Sequence, residues 1–334
     1  MTQRITMEHG SGGEATDRLI SEIFSKEFYN GKKGVLEDAE IASGAGTLAV
    51  TTDSFVVNPV EYPGGNIGKL CVCGTVNDLL MRGAVPKYLT CGFILQEGLE
   101  VEKLERIVHA MAETAREAGV TILAGDTKVV EGDGGLFINT AGIGFVPEGR
   151  NVSAANAKEG DVIILSGTVG EHHATILSHR LSVKNSIESD NAVLCEMTSA
   201  LFDAGVRVHT LRDVTRGGLA TILKELAVSS KKRFEIQQEK LPVSPQVADF
   251  CAILGLDPLY MGNEGKMVAI VPAEDADKAL SAIRNSRYGE GAVIIGSVKE
   301  PADEADTGRL ALLTEIGGTR ILEVLHGEGL PRIC

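Results

Sequence analysis

The stretch Thr47-Leu-Ala-Val-Thr-Thr-Asp-Ser-Phe-Val-Val57 decides the fold class of this 334-residue chain. It is rich in β-branched and apolar residues, which predicts a strand. A helix is predicted next, over about 67–82, and it ends before Gly83 and Pro86. A second strand is predicted over 87–95. A strand, a helix and another strand in succession indicate a mixed α/β or α+β protein.

The same mixture of elements continues to the end of the chain. The period of apolar residues predicts a helix over 101–118, closed by Gly119, and strands over 120–124 and 136–146. A domain boundary is expected near residue 150. Beyond it, strands are predicted at 161–166, 266–271, 292–299 and 308–315, and helices at about 171–181, 190–204, 216–228, 244–254 and 274–286.

Length and charge restrict the class of protein. A chain of this length is expected to form about two domains. The net charge of −14 argues against nucleic acid or an anionic membrane as the main partner. The N-terminus is polar, with no apolar signal core, and no stretch approaches the length of a membrane span. We therefore expect a cytoplasmic protein.

Six cysteines occur, at positions 71, 73, 91, 195, 251 and 334. Cys71 and Cys73 form a C-x-C pair, and the other spacings match no zinc-finger or ferredoxin pattern. Free cysteine is a common core residue, so we expect structural roles for the internal cysteines. A redox or metal role for Cys71 and Cys73 stays open as the minor alternative.

The last residues form a glycine-loosened arm that ends in a thiol. Gly327 and Gly329 leave the backbone free, and Pro331 favours an extended conformation before it. From Gly327 to Cys334 the arm could reach about 23 Å at ~3.3 Å per residue. Either this is a frayed terminus with an accidental cysteine, or it is a mobile tail that carries a reactive thiol.

Glycine also concentrates near the N-terminus, in His9-Gly-Ser-Gly-Gly-Glu14. The N–H groups of such a loop can hold phosphate, and the loop could cover a ligand. It lacks the Gly-Lys-Ser/Thr of a P-loop. A disordered leader is the alternative.

Three acidic sites interrupt apolar surroundings in the first half. Asp53 is predicted at the end of a strand, Asn77-Asp78 within the 67–82 helix, and Gly125-Asp126-Thr127-Lys128 directly after the 120–124 strand. Carboxylates at strand ends suit Mg²⁺, which prefers oxygen ligands and bridges to nucleotide phosphates. A single Asp after a strand is more often a cap, but three at comparable positions favour a metal site.

Two polar motifs occur in the second half. Asp213-Val-Thr-Arg-Gly-Gly-Leu219 is predicted to begin a helix, with Asp213 or Thr215 as its cap. Met261-Gly-Asn-Glu-Gly-Lys266 places Asn263 and Glu264 between two glycines, with no apolar neighbour to anchor them. Glu264 is therefore a candidate general acid, general base or metal ligand.

The order of these motifs resembles a known family. They are Asp53-Ser-Phe, Val76-Asn-Asp78, Gly83-Ala-Val-Pro, Gly125-Asp-Thr, Asp213-Val-Thr-Arg-Gly-Gly and Gly262-Asn-Glu-Gly. Over the whole chain this order is similar to the ATP-dependent superfamily of aminoimidazole ribonucleotide synthetase and selenophosphate synthetase. With the N-terminal glycine loop and the terminal Pro331-Arg-Ile-Cys334, the chain resembles the HypE family, the carbamoyl dehydratases that make cyanide for nickel–iron hydrogenase.

The resemblance implies a two-domain PurM-like fold. Residues 1–40 would cover the nucleotide, 41–150 would bind ATP and form the dimer, 151–325 would be a C-terminal α+β domain, and 326–334 would be a flexible tail ending in the reactive cysteine. The strands of the first domain would pair with those of a second copy in a shared barrel, so a homodimer is expected.

The resemblance also implies a set of site residues for ATP and Mg²⁺. The expected metal ligands are Asp53, Asp78 and Asp126, which would also contact the nucleotide. The catalytic residues would be Cys334, Glu264 for proton transfer and Lys128 for charge stabilisation. Further nucleotide contacts are expected from Asn77, Thr127, Asn263, Gly12 and Gly13.

The implied reaction begins when a carbamoyltransferase partner of the HypF type loads a carbamoyl group onto Cys334 as a thiocarbamate. ATP-dependent dehydration then leaves a thiocyanate, whose cyanide passes to an iron-binding scaffold of the HypC–HypD type. A mobile tail suits a sulfur that must reach the carbamoyltransferase, the ATP site and the iron-bearing acceptor in turn.

Two alternatives stay open. One is another ATP-dependent small-molecule synthetase or kinase of the superfamily, although such enzymes have no use for a terminal thiol. A selenophosphate synthetase would carry a reactive cysteine where this chain has Met7-Glu8-His9. The other is a non-catalytic scaffold that holds iron through Cys334 and the Cys71/Cys73 pair. A scaffold, however, needs no ordered set of carboxylates.

Overall fold

The structure is a computed structural model that describes residues 4–6, 19–28, 46–325 and 334. The glycine loop at 9–14, with Gly12 and Gly13, and the tail at 326–333 lie outside the described residues. Among the described residues, no helix has the length and apolar character needed to cross a membrane.

The first sheet has an apolar face covered by helices. Side chains of its strands alternate between buried and exposed positions, as in a sheet covered on one face. Helices α1 (Ile67–Met81) and α2 (Val101–Ala118) are among its contacts, and α2 ends at Gly119, whose φ of 67° is left-handed. The strands of this part of the chain are β1 (Thr47–Phe55), β2 (Glu61–Tyr62), β3 (Gly65–Asn66), β4 (Val85–Gln96), β5 (Thr121–Val130) and β6 (Leu136–Val146).

The order of strands in this first sheet is β1-β6-β4-β5, while β2 and β3 form a small hairpin. Neighbouring strands pair antiparallel except β4 and β5, which are parallel. The sheet is open, and β1 and β5 are its edges. Asp53 lies two residues before the end of β1.

The second sheet follows the expected boundary and has the order β13-β12-β9-β11-β7-β10-β8. Strand β10, next to the edge strand β8, is buried at every position, because it pairs with β7 and β8 and both faces are covered. Its strands are β7 (Val162–Leu165), β8 (Thr210–Asp213), β9 (Arg233–Gln237), β10 (Met267–Val271), β11 (Val293–Lys299), β12 (Leu310–Leu313) and β13 (Thr319–Leu322). The helices of this half are α3 (Glu171–Arg180), α4 (Cys195–Asp203), α5 (Gly218–Ser230), α6 (Pro245–Leu254) and α7 (Ala276–Arg284).

Strand β5 differs from the prediction because it does not end at Ala124. It continues to Val130, so Asp126 and Lys128 lie within the strand. The cause is pairing with β4, which is maintained through Val130. Gly125 is required there, because a Cβ at this position would lie 2.7 Å from the Cys91 carbonyl oxygen. Gly125 suggested the end of a strand, but it is the point at which β5 approaches β4 closely.

The predicted helix at 190–204 begins only at Cys195. Residues 190–194 are held outside the helix by hydrogen bonds to Asn77 and to the backbone of Glu264. The predicted helix at 216–228 likewise begins at Gly218. The sequence prediction also missed β8, β9 and β13. These strands are four or five residues long.

Candidate functional site

A cavity of about 430 Å³ lies between the first sheet and the second. Residues from both halves of the chain line it. Asp53 comes from β1, Asp78 from α1, Asp213 from the end of β8, and Glu264 from the loop before β10. The cavity therefore combines acidic motifs that are far apart in the sequence.

Asp53 and Asp78 form the acidic wall on the side of the first sheet. The Thr51 hydroxyl donates to Asp78 Oδ2 at 2.8 Å. Asp53 Oδ2 is buried without a hydrogen-bond partner among the described residues. Burial, and then the Asp78 charge, raise the pKa of Asp53 to about 6. This oxygen is available to a cation or to a donor on a ligand.

Asp213 and Glu264 form the opposite wall. Burial, followed by the charge of Asp78, raises the pKa of Asp213 to about 7. Glu264 is 4 % exposed, and its Oε1 has no hydrogen-bond partner among the described residues. Burial raises the pKa of Glu264 well above its usual value, and the charges of Asp213 and Asp190 act in the same direction. These carboxylates repel one another, so the cavity favours a cation.

Asp213 and Arg216 line the cavity but were missed by sequence reasoning, since their motif was interpreted as a capped helix start. The charge of Arg216 lowers the pKa values of Asp53 and Glu264 against the effect of burial. Gly217 and Gly218 follow with φ of 81° and 68°. A Cβ on Gly218 would lie 2.5 Å from the Leu259 carbonyl oxygen. Two left-handed glycines directly after a charged residue were the available signal for a tight, functional turn.

Cys334 lies at the same cavity. It is half-buried, it lines the cavity with Glu264, and it packs against a core cluster to which both halves of the chain contribute. The sulfur and the acidic groups therefore share one space.

Within one copy of the chain, the structure places the Asp126 to Lys128 motif away from the cavity. The side chains of Asp126 and Lys128 are exposed, and the distance from Lys128 Nζ to Asp126 Oδ2 is 2.7 Å. The Lys128 ammonium holds the pKa of Asp126 below its usual value. Thr127 lies between them on the same edge strand and does not line the cavity.

The register shows how far this motif is from Asp53. Asp53 is opposite Thr140, Thr140 is opposite Cys91, and Cys91 is opposite Gly125. Three strand spacings of ~4.8 Å separate the two edges, a distance of about 14 Å.

The side chains of Asn77 and Asn263 are occupied by protein contacts. Asn263 Oδ1 accepts from the Gly170 N–H at 2.8 Å, and its amide nitrogen donates to the Met261 carbonyl at 3.4 Å. Asn77 contacts the backbone of Ala192 and Leu194. Neither residue lines the cavity. Their predicted contacts with nucleotide stay predictions.

Cys71 and Cys73 lie in helix α1, where both side chains are fully buried. Burial raises the pKa of both thiols well above the usual value. Among the described residues, no group of three or more His, Cys, Asp or Glu side chains is arranged to hold a metal ion. A core role fits this pair better than an iron site.

Comparison with known proteins decides the family. Two family models match, the AIR synthase related protein N-terminal domain over residues 34–146 and its C-terminal domain over residues 158–307. The carbamoyl dehydratase HypE of Rhodobacter capsulatus is 46% identical over 340 residues, which covers 99% of this chain and 98% of that protein. The chain belongs to the HypE family of carbamoyl dehydratases.

Solved structures agree with the placement in the HypE family. Hydrogenase maturation protein HypE in complex with ATP has a TM-score of 0.93 and 46% identity, covering 98% of this chain and 99% of that one. The HypE in a HypE–HypF complex has a TM-score of 0.79 and 43% identity, covering 94% and 100%. The resemblance inferred from the ordered motifs is confirmed, together with the mixed α/β PurM-like fold.

Proposed function

We propose that the chain is an ATP-dependent carbamoyl dehydratase that acts on a carbamoyl group carried by its own C-terminal thiol. The observation that carries this proposal is the position of Cys334 at the cavity that also contains Asp53, Asp213 and Glu264. A similar HypE is known in complex with ATP, which supports the choice of nucleotide.

The substrate is a thiocarbamate on Cys334 Sγ, and its carbonyl oxygen is a poor leaving group. In the proposed reaction this oxygen takes up the γ-phosphoryl group of ATP and then departs as phosphate. Both N–H protons are lost, and carbon and nitrogen become triply bonded. The products are a thiocyanate on Sγ, ADP, phosphate and a released proton, so the atoms balance.

Glu264 is the proposed acceptor of an N–H proton. Its carboxylate is buried, and burial raises its pKa, so the ionised form is a stronger base than an exposed glutamate. The unpartnered Oε1 leaves room for a hydrogen bond from substrate. Arg216 lines the same cavity and lowers the pKa of Glu264 against the effect of burial, which favours the ionised form.

The acidic wall fits Mg²⁺, with Asp53 and Asp78 as proposed ligands. Asp53 Oδ2 is buried and unpartnered, and Mg²⁺ commonly takes one or two carboxylates together with phosphate oxygens. When bound, the ion would neutralise charge on the phosphates. Asp213, on the opposite wall, is near enough for the Asp78 charge to raise its pKa, and we propose it as a further contact for the ion or its water.

We propose a homodimer in which each site also contains Asp126, Thr127 and Lys128 of the second copy. The edge strands β1 and β5 each have one side without a strand partner among the described residues. The uncovered face of the same sheet exposes Leu48, Val50 and Ile94. Pairing of β1 with β5 of a second copy would cover this face, close a barrel, and bring the second copy's Asp126 and Lys128 beside Asp53.

We also propose a domain division near residue 150 and two protein partners, a carbamoyltransferase and a cyanide acceptor. The HypF type of carbamoyltransferase is supported by the known HypE–HypF complex. A thiocyanate also needs an acceptor, for which we propose an iron-binding scaffold of the HypC–HypD type. A carrier thiol must stay reduced, which favours the cytoplasm.

Intact-mass measurement tests the function. The chain is incubated with carbamoyl phosphate, a HypF-type carbamoyltransferase, ATP and Mg²⁺. We expect one carbamoyl group per chain, followed by loss of the mass of one water, and neither change in Cys334→Ala. Equal adducts on Cys334→Ala would refute the carrier role. A loaded thiol without ATP turnover would favour the non-catalytic scaffold.

A further inference from the structure

Residues 190–194, which we call the bridging segment, lie between helix α1 and the loop that carries Glu264. They precede helix α4 and are largely buried. One end of the segment contacts Asn77 of α1, and the other contacts Glu264 and Lys266. The segment thus connects the first half of the chain to the proposed base.

The contact with α1 is made by the Asn77 side chain. Its amide nitrogen donates to the Ala192 carbonyl at 3.0 Å, and its oxygen accepts from the Leu194 N–H at 2.9 Å. The residue is only 2 % exposed. Because a buried amide that loses its partners costs free energy, this two-sided contact fixes the bridging segment on α1.

The contact with the Glu264 loop is made by Asp190. Asp190 Oδ1 accepts from the Glu264 N–H at 3.1 Å, and Oδ2 lies 3.2 Å from Lys266 Nζ. The Ala192 N–H donates to the Glu264 carbonyl at 3.3 Å. A Cβ on Gly265 would lie 1.9 Å from the Asp190 carbonyl oxygen, so only glycine permits this approach. The peptide groups on both sides of Glu264 are held by the bridging segment.

The Glu264 carboxylate, in contrast, has an oxygen without such support among the described residues. Its Oε1 is buried with no hydrogen-bond partner among the described residues. A side chain that is not tied at its end takes its position from its backbone and from packing. The placement of the proposed base therefore depends on the bridging segment.

We propose that Asn77 and Asp190 are positioning residues, which set the place of the Glu264 carboxylate in the cavity through residues 190–194. The inference rests on the proposed function, in which Glu264 accepts the substrate proton. It also gives the Val76-Asn-Asp78 motif two separate roles, because Asp78 lines the cavity while Asn77 faces the bridging segment.

The test compares Asn77→Ala, Asp190→Ala and Asp190→Asn. The asparagine keeps an oxygen that can accept from the Glu264 N–H, whereas alanine does not. Each full-length variant is first carbamoylated on Cys334, and dehydration is then followed by intact mass in a single turnover. Asp306→Ala is the matched control, since Asp306 is buried, accepts from the Ala302 N–H and pairs with Arg233 far from the cavity.

We expect dehydration to slow at least about tenfold in Asn77→Ala and Asp190→Ala, because small displacements of a reacting group are costly. Asp190→Asn should recover most of the rate. Carbamoylation of Cys334 and the Kd for ATP should stay within about twofold of the wild-type values. Asp306→Ala should lower the Tm and leave the dehydration rate unchanged.

Wild-type dehydration rates in folded Asn77→Ala and Asp190→Ala would overturn the inference, provided that Glu264→Gln is inactive. Weaker ATP binding in parallel with slower dehydration would also overturn it, in favour of a nucleotide contact for Asn77. If Glu264→Gln dehydrates at the wild-type rate, the proposed base is wrong and the positioning role is refuted with it.

Discussion

The Lys128 ammonium lies 2.7 Å from the Asp126 carboxylate, on the edge strand farthest from Asp53 in the same sheet. Within one chain this ion pair is too far from the cavity to contact a ligand bound there. In the proposed homodimer it would lie beside the Asp53 of the other copy, so each site would need two chains.

Complementation between inactive variants tests the shared site. Glu264→Ala and Lys128→Ala should each be inactive as homodimers. Mixed dimers should contain one intact site, made of Glu264 from one copy and Lys128 from the other. Random mixing by co-expression should therefore restore roughly a quarter of the wild-type sites. Dehydration in single turnover measures the fraction, and no recovery in verified mixed dimers would contradict the shared site.

Asp213→Asn should stabilise the ligand-free protein at high pH. The pKa of Asp213 is about 7 against an ordinary value of 3.8, so the folded chain holds this proton more tightly than the unfolded chain. The associated stability is complete below the unfolded pKa and is lost as the pH rises through about 7. We expect the variant to gain on the order of 2 kcal/mol at pH ~8 and little at pH ~4.

Urea unfolding with a chelator present at both pH values measures this difference. Asp249→Asn is the control, because Asp249 is exposed on α6. A gain of the same size at both pH values would show that the effect is not due to titration of Asp213. The stabilised variant should also bind ATP and Mg²⁺ more weakly, since it removes a carboxylate from the cavity.

The base of the tail is held on the second half of the chain, and releasing it should expose Cys334. The Tyr260 hydroxyl donates to the Glu323 carbonyl at 2.9 Å, Lys224 Nζ lies 2.9 Å from Glu323 Oε2, and the Leu325 N–H donates to Thr221 Oγ1 at 3.1 Å. Tyr260→Phe combined with Lys224→Ala should raise the alkylation rate of Cys334 about twofold or more, because release of residues 323–325 lowers the effective concentration of the thiol at the cavity.

Peptide-level mass spectrometry after brief iodoacetamide treatment reports alkylation at each cysteine. Tyr288→Phe is the matched control, because its hydroxyl contacts Glu117 away from the tail. An unchanged alkylation rate in the double variant would mean that residues 323–325 do not limit the tail.

Cys73→Ala separates a core role from an iron site. The side chain is fully buried in α1, so its truncation should cost about 1–2 kcal/mol of stability and leave the dehydration rate intact. Thermal unfolding and single-turnover dehydration are the measurements. Loss of activity with unchanged Tm would instead favour an iron-binding role for the Cys71/Cys73 pair.

Local sequence was sufficient to predict a strand or a helix where one strong pattern of residues dominated. The β-branched run at 47–57 gave β1, and the apolar period at 101–118 gave α2 with its glycine end. The four-residue strands β7 and β12 were predicted because each is an unbroken apolar run, whereas β8 (Thr-Leu-Arg-Asp) has two charged residues and forms because β10 supplies its hydrogen bonds. The extension of β5 past Gly125 depends on β4 in the same way.

The site was predictable to the extent that a residue's role depends on its chemistry. Asp53, Asp78 and Glu264 were selected as acidic residues in apolar or glycine surroundings, and all three line the cavity. Asn77 and Asn263 occur in the same motifs, yet their amides bind backbone groups from other parts of the chain. Only the folded arrangement distinguishes an amide that faces a ligand from one that supports a loop.

Asn77 and Asp78 are consecutive residues of one helix, so their side chains point about 100° apart. The Asn77 side chain supports the bridging segment, and the Asp78 side chain faces the cavity. Insertion or deletion of a single residue upstream in α1 would rotate both directions together and lose both contacts at once. The two contacts therefore constrain the length of helix α1 during evolution, in addition to the constraint that burial places on its side chains.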